Sequence, residues 1–231
     1  MITESSKFLF QRMVQLYLGS PRIAILMSGK GSNAKVILEQ RFRYANLNFV
    51  AVVTDKTTSN AKIIANTFGL DYIFVNDRPV ANRNELFQKM EHELRRLHIQ
   101  ILVYAGFMKI TPASLLVEFP GMNMHPADLT IRDENGYPKY VGMNAVSEVI
   151  YNRELSTAST LHMVEEIADF GVPIAVSPHI PLSGMGTENP QEVHDAIKVH
   201  CEHKLYPFML ELLAKGKIAY AKIPLHVERI E

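Results

Sequence analysis

The chain carries no excess of either charge: Lys and Arg number 24, Asp and Glu number 24, and the formal net charge is zero. Sequence-independent nucleic-acid binding needs a net basic face, so a nucleic-acid partner is not expected. Cysteine is nearly absent. Cys201 stands alone, which excludes an intrachain disulfide and a cysteine metal cage and fits a reducing, cytoplasmic setting. No apolar run approaches the ~20 residues that a membrane helix needs. The opening segment carries Glu4 ahead of a short apolar patch and has no small-residue cleavage pattern, so it reads as neither signal peptide nor anchor. Internal repeats and low-complexity segments are also missing. What is plentiful is apolar: 47% of the 231 residues are hydrophobic, enough for one sizeable core.

Residues 1–20 form a helical extension, with Phe8, Leu9, Met13, Leu16 and Tyr17 at roughly helical spacing. Such a helix docks on its own domain or on a second copy of the chain, which makes a homodimer the candidate assembly. Gly19-Ser20-Pro21 ends it, and residues 21–231 read as a single domain. Apolar runs at 22–27, 49–54, 72–75 and 99–104 predict strands. The periodic stretches 34–40, 59–68 and 85–97 between them predict helices. A further helix opens at Thr111-Pro112, with Thr111 as cap and Pro112 at the first position. The alternation defines an α/β fold with a doubly wound, mostly parallel, Rossmann-like sheet. Residues 128–140 are polar and turn-rich, a surface excursion, and 143–151 suit a helix. A C-terminal β-hairpin of 159–164 and 173–177 would enclose Asp169. A long helix from Asn189-Pro190 carries Val193, Ile197, Cys201, Leu205 and Phe208 in one apolar stripe, and Pro207 should kink or end it.

Three signals carry chemistry. Asn123-x-His125-Pro126 puts both side chains on one face of an extended segment. The amide can donate to a developing oxyanion, and the imidazole can move a proton near neutral pH. A downstream carboxylate in 165–169 can hold the imidazole's tautomer; spacing alone does not select Asp169 over Glu165 or Glu166. Backbone N–H groups of Gly31, Ser32 and Asn33 at a helix start can hold a phosphate. The same turn, read as Gly29-x-Gly31-x-x-Ala34 with Asp55 about twenty residues on, also fits a relaxed dinucleotide fingerprint. It is not a P-loop. His194, His200 and His203 share the last helix, but His194 is offset and no acidic ligand has the right spacing, so no metal is expected.

Taken in order, Ile-Leu-Met-Ser-Gly-Lys-Gly-Ser-Asn33, Tyr-Ala-Gly-Phe-Met-Lys-Ile110, Asn-Met-His-Pro126 and Leu-His-Met-Val164 followed by Asp169 resemble the glycinamide ribonucleotide formyltransferases over roughly residues 22–225. The resemblance implies transfer of a formyl group from 10-formyltetrahydrofolate, as co-substrate, to a primary amine in purine biosynthesis. It implies small-molecule substrates only and no membrane partner. It assigns catalysis to Asn123, His125 and Asp169. Gly31, Ser32 and Asn33 would take the acceptor's phosphate, and Glu202 would approach its ribose. Met108, Lys109, Ile110 and Thr111 would line the folate pocket. Glu165, Glu166, Ile167 and Ala168 would close over the pterin, and Arg83 would meet the glutamate tail.

The chain departs from that family's pattern beside the reacting centre. Segment 127–142 is longer and more polar, Met143-Asn144 replaces a histidine region, and Asp169-Phe-Gly-Val-Pro173 is one residue longer than usual. A sibling formyltransferase with another amine acceptor, such as a sugar nucleotide, is therefore the first alternative. An NAD-dependent oxidoreductase built on Gly29, Gly31, Ala34 and Asp55 is the second, and a non-catalytic binding protein the third.

Overall fold

The computed structural model describes residues 4–75, 83–218 and 225–226. Residues 1–3 of the expected N-terminal helix and the last residues of the expected domain lie outside the described residues. In chain order the strands are β1 (Arg22–Leu26), β2 (Asn48–Thr54), β3 (Asp71–Phe74), β4 (Ile101–Tyr104), β5 (Gly121–His125), β6 (Ser156–Thr157), β7 (Thr160–Met163), β8 (Pro173–Val176), β9 (Ile180–Pro181) and β10 (Leu225–His226). The helices are α1 (Glu4–Leu18), α2 (Ser32–Glu39), α3 (Ala61–Phe68), α4 (Arg83–Arg96), α5 (Ala113–Glu118), α6 (Ala145–Tyr151), α7 (Pro190–Ile197) and α8 (His203–Ala214).

Among the described residues, eight strands make one sheet in the order β10-β8-β7-β5-β4-β1-β2-β3, and β6 pairs with β9 apart from it. Within that sheet β7 runs against its neighbours and the other pairings are parallel. Strand order reverses between β1 and β4. The crevice beyond the carboxyl ends of such a pair is where open α/β sheets place ligands.

Alternation along β1 explains why both faces are covered. Ile23 and Ile25 join a core with Phe10, Met13 and Tyr17 of α1, Ile37 of α2 and Tyr206, Met209 and Leu210 of α8. Ala24 and Leu26 face the other way, onto Leu86, Phe87, Met90 and Leu94 of α4 and Leu115 and Leu116 of α5. A strand buried on both faces reads as a continuous apolar run, which is how β1 and β4 look in the sequence. A third cluster joins Ala127, Tyr140, Ala145, Val149, Val193, Ile197 and Cys201, so the polar excursion has an apolar underside.

α1 docks on its own domain. Phe10, Met13 and Tyr17 are fully buried against the sheet and α8, each stabilising the docking by roughly 1.5–3 kcal/mol. Among the described side chains of α1, Phe8 and Leu18 are the large exposed apolar groups.

Two local expectations differ. α5 begins one residue late: Pro112 is its extended cap, with no side-chain cap bond. Thr111 is buried instead, its hydroxyl accepting from Tyr104 at 2.9 Å. The last helix runs on through Pro207 and changes form earlier, in a π-helical turn at Lys198–Glu202. A proline removes one hydrogen bond, and here Pro207 is buried in a helix held by Leu205, Tyr206, Met209 and Leu210. The apolar stripe holds through Leu205, while Phe208 is only partly buried.

Candidate active site

β1, β4 and β5 deliver their following loops to one edge of the sheet. After β1, Gly31 turns the chain with a positive φ of 72° and opens α2 without a side-chain cap. A Cβ at Gly31 would collide with the side chains of Met27 and Ile64, so the turn needs glycine for space as well as conformation. No side chain caps the first turn of α2, and a helix start whose N–H groups lack side-chain partners is the kind of end that can hold an anion. Asn33 does not offer its side chain there: its amide donates to Glu202 at 2.7 Å, in a buried contact. The π-helical turn carries Glu202 inward, where burial raises its carboxyl pKa and the Asn33 hydrogen bond opposes that rise. Such turns interrupt helices at functional sites more often than elsewhere.

The loop after β1 is tied to the loop after β4. Ser28 donates its backbone N–H to Gly106 at 2.9 Å. Its hydroxyl donates to Asp55 at 2.5 Å and accepts from the N–H of Met108 at 3.0 Å. Asp55 is fully buried. It clamps loops together and offers no oxygen to a cofactor ribose, so the dinucleotide reading of Gly29, Gly31, Ala34 and Asp55 loses its acidic partner.

Asn123 and His125 lie in the last residues of β5. Asn123 and His125 leave the same face, as the i, i+2 spacing requires, while Met122 and Met124 enter the core on the other face. The β7–β8 hairpin brings Asp169 back to them. Asp169 Oδ1 is 3.4 Å from His125 Nδ1, with the ring almost wholly buried. Asp169 has a positive φ of 62°, and its other oxygen accepts from the N–H of Gly142 at 2.7 Å. Gly171 permits this return, because a Cβ there would overlap the Met163 carbonyl. Burial alone would raise the Asp169 carboxyl; the hydrogen bond and charge of His125, with help from His162 and Gly142, outweigh it and hold the group at about 2. His125 Nε2 is 2.8 Å from the carbonyl oxygen of Tyr140. Both ring nitrogens thus face acceptors, and both contacts are hydrogen bonds only when the ring is the imidazolium.

His162, Tyr140 and Gly142 belong to this site, and sequence reasoning assigned them no role. His162 Nδ1 is 2.8 Å from the Met163 carbonyl, and Nε2 is 3.1 Å from the Asn123 amide nitrogen. Nε2 also lies 3.5 Å from Asp169, but burial pushes the ring's pKa down to about 4, so no ion pair forms near neutral pH. The only sequence signal for His162 was its place in the Leu-His-Met-Val run.

Of the expected folate-pocket residues, Met108 and Ile110 are exposed on one lip. Lys109 is half-buried there, while Thr111 points inward. Arg83 joins this lip, its guanidinium donating to the Ile110 carbonyl. The second lip is the hairpin loop. Glu166, Ile167 and Ala168 are exposed and Glu165 is half-buried, and burial raises the Glu165 carboxyl pKa. Val164, at the root of that loop, packs against the core that includes Phe107, which leads into the other segment.

A family profile described as "Formyl transferase" matches residues 21–210, and the chain belongs to that family of enzymes. Among curated relatives, the "Trifunctional purine biosynthetic protein adenosine-3" of Bos taurus is 26% identical over 200 residues. The match covers 85% of this chain and 19% of that protein, so the chain corresponds to a small part of such relatives. The "Phosphoribosylglycinamide formyltransferase" of Haemophilus influenzae is 24% identical over 200 residues, covering 85% of this chain and 89% of that protein. The fold is shared with the crystal structure of glycinamide ribonucleotide transformylase 1 from Symbiobacterium toebii, at a TM-score of 0.75 and 22% identity, over 86% of this chain and 90% of the other. The phosphoribosylglycinamide formyltransferase structure from Anaplasma phagocytophilum gives a TM-score of 0.71 at 23% identity, over 86% and 89%.

Proposed function

We propose that the chain transfers the formyl group of 10-formyltetrahydrofolate to the primary amine of glycinamide ribonucleotide, as a cytoplasmic enzyme of purine biosynthesis. The observation that carries this reading is the meeting of Asn123, His125 and Asp169, with Asp169 Oδ1 3.4 Å from His125 Nδ1, at the sheet edge that also holds the open end of α2. The family membership and the named relatives support it.

The chemistry follows from the groups present. The acceptor's amine attacks the formyl carbon, a C–N bond forms, and negative charge gathers on the formyl oxygen. The amide N–H of Asn123 and an N–H of the His125 imidazolium stabilise that charge, each such donor being worth about 3–4 kcal/mol of barrier. The carbon–N10 bond of the folate then breaks, and the proton lost by the attacking nitrogen passes to N10 through water or His125. Asp169, charged at neutral pH, accepts from His125 Nδ1 and fixes the orientation of the ring. Nε2 of His125 is free to serve the substrate only once the Tyr140 carbonyl gives it up. The acceptor's phosphate takes the N–H groups of Gly31, Ser32 and Asn33, and its ribose hydroxyls meet Glu202. The folate lies between the lip of Arg83, Met108, Lys109 and Ile110 and the loop of Glu165, Glu166, Ile167 and Ala168. No metal is needed for any of these steps.

The test is an assay with 10-formyltetrahydrofolate and a panel of amines that includes glycinamide ribonucleotide and amino-sugar nucleotides. Folate release together with formylated glycinamide ribonucleotide is expected. Release only with another amine would move the acceptor assignment to that amine and overturn this one.

A further inference from the structure

A carboxamide serves an oxyanion only when its nitrogen, and not its oxygen, faces the charge. The two orientations of Asn123 have nearly the same shape, so a neighbour has to choose between them. β5 and β7 pair antiparallel with Asn123 directly opposite His162, which places the two side chains on the same face. His162 Nδ1 lies 2.8 Å from the Met163 carbonyl, which only accepts, so Nδ1 carries the proton. In the neutral ring Nε2 is then a bare lone pair, 3.1 Å from the Asn123 amide. That lone pair accepts an amide N–H and repels an amide oxygen. The ring is buried and stays neutral, with a pKa of about 4. Asp169 on one side and the edge-on ring of His125, with centroids 6.3 Å away, complete its surroundings.

We propose that His162 is a positioning residue: its Nδ1–H tautomer locks the Asn123 carboxamide with nitrogen toward the reacting centre, so that one N–H goes to His162 and the second remains for the formyl oxygen. The proposal rests on the formyl-transfer reading above, because it assigns the lock a purpose in that reaction. The geometry makes a specific demand. His162 acts on chemistry only through Asn123, whereas a side chain that merely fills the core would matter whatever stood at position 123.

Steady-state kinetics of His162→Phe, alone and with Asn123→Ala, test this as a double-mutant cycle. His162→Phe in the otherwise native protein should lower kcat by about tenfold to a hundredfold, with KM for both substrates within about twofold, since a freely flipping donor loses part of what one oxyanion donor supplies. With Asn123→Ala already present, the same substitution should change kcat by less than about twofold. His162→Gln, whose amide oxygen reaches the place of Nε2, should recover most of the loss. Equal losses in the two backgrounds, or a Gln variant as impaired as Phe, would overturn the proposal. Nitrogen NMR of the native protein gives an arm independent of turnover: it should show His162 Nε2 unprotonated at neutral pH, and a protonated Nε2 would overturn the lock. If the native protein transfers no formyl group, the reaction assignment fails, while the nitrogen spectrum still decides the tautomer.

Discussion

Asp169→Asn keeps the shape of the side chain and removes its charge. The native carboxyl is held at about 2 against an ordinary 3.8, and its side chain is only 11% exposed, so little solvent screening applies. A depression of that size corresponds to about 2 kcal/mol of folding stability. The sign follows from the direction of the shift. A carboxyl whose folded pKa is lowered contributes its stability above the unfolded value and loses it as pH falls through the folded value. The Asn variant should therefore unfold about 2 kcal/mol more easily at neutral pH, and the gap should close between roughly pH 4 and pH 2. Catalysis should suffer more than folding, because the carboxylate that holds the His125 ring in place loses its charge. We expect kcat to fall by about two to three orders of magnitude, the range seen when an electrostatic partner is removed from such a site. Urea unfolding across this pH range and kcat at neutral pH are the assays. A variant with native kcat, or a stability gap unchanged from pH 7 to pH 3, would refute the pairing of Asp169 with His125.

Gly171→Ala places a methyl on the Met163 carbonyl; it should cost about 1–3 kcal/mol and displace Asp169, so an unchanged melting temperature would contradict the close return of the hairpin. His179 donates to Asp128 at 3.0 Å, which raises the His179 pKa and, against burial, lowers that of Asp128. The His179 contribution is whole below about pH 6.5 and fades as pH rises, and the Asp128 contribution is whole above about pH 4, so Asp128→Asn should destabilise more near pH 5.5 than near pH 9; equal losses at both would refute the tie. Met13→Ala removes a fully buried side chain between α1 and the sheet and should cost about 2–5 kcal/mol in urea unfolding; an unchanged midpoint would mean that α1 does not dock as described.

The parallel half of the fold was legible because its strands are short apolar runs buried on both faces, as in Ile23 to Leu26 and Ile101 to Tyr104. Asn123 and His125 were legible as a pair because a strand repeats every two residues. Asp169 was singled out by the resemblance, whereas residue spacing alone showed only an acidic loop. Its contact with His125 depends on the β7–β8 register and on Gly171, neither of which leaves a local pattern. Glu202 was named through the resemblance, but its contact with Asn33 was not legible, because a π-helical turn interrupts the regular helical spacing there. His162 escaped because cross-strand neighbours are set by register, and the partner of Asn123 lies far along the chain. Tyr140 reaches His125 through its backbone carbonyl, a group that carries no sequence signature.

Quenched-flow formyl transfer to glycinamide ribonucleotide, in the native chain and in His125→Ala, asks most directly whether the imidazole beside Asp169 does the chemistry. A native burst of formylated product that drops by about a hundredfold or more in the variant, with both substrates still bound, is the expected result. Equal rates in the two proteins would contradict the account.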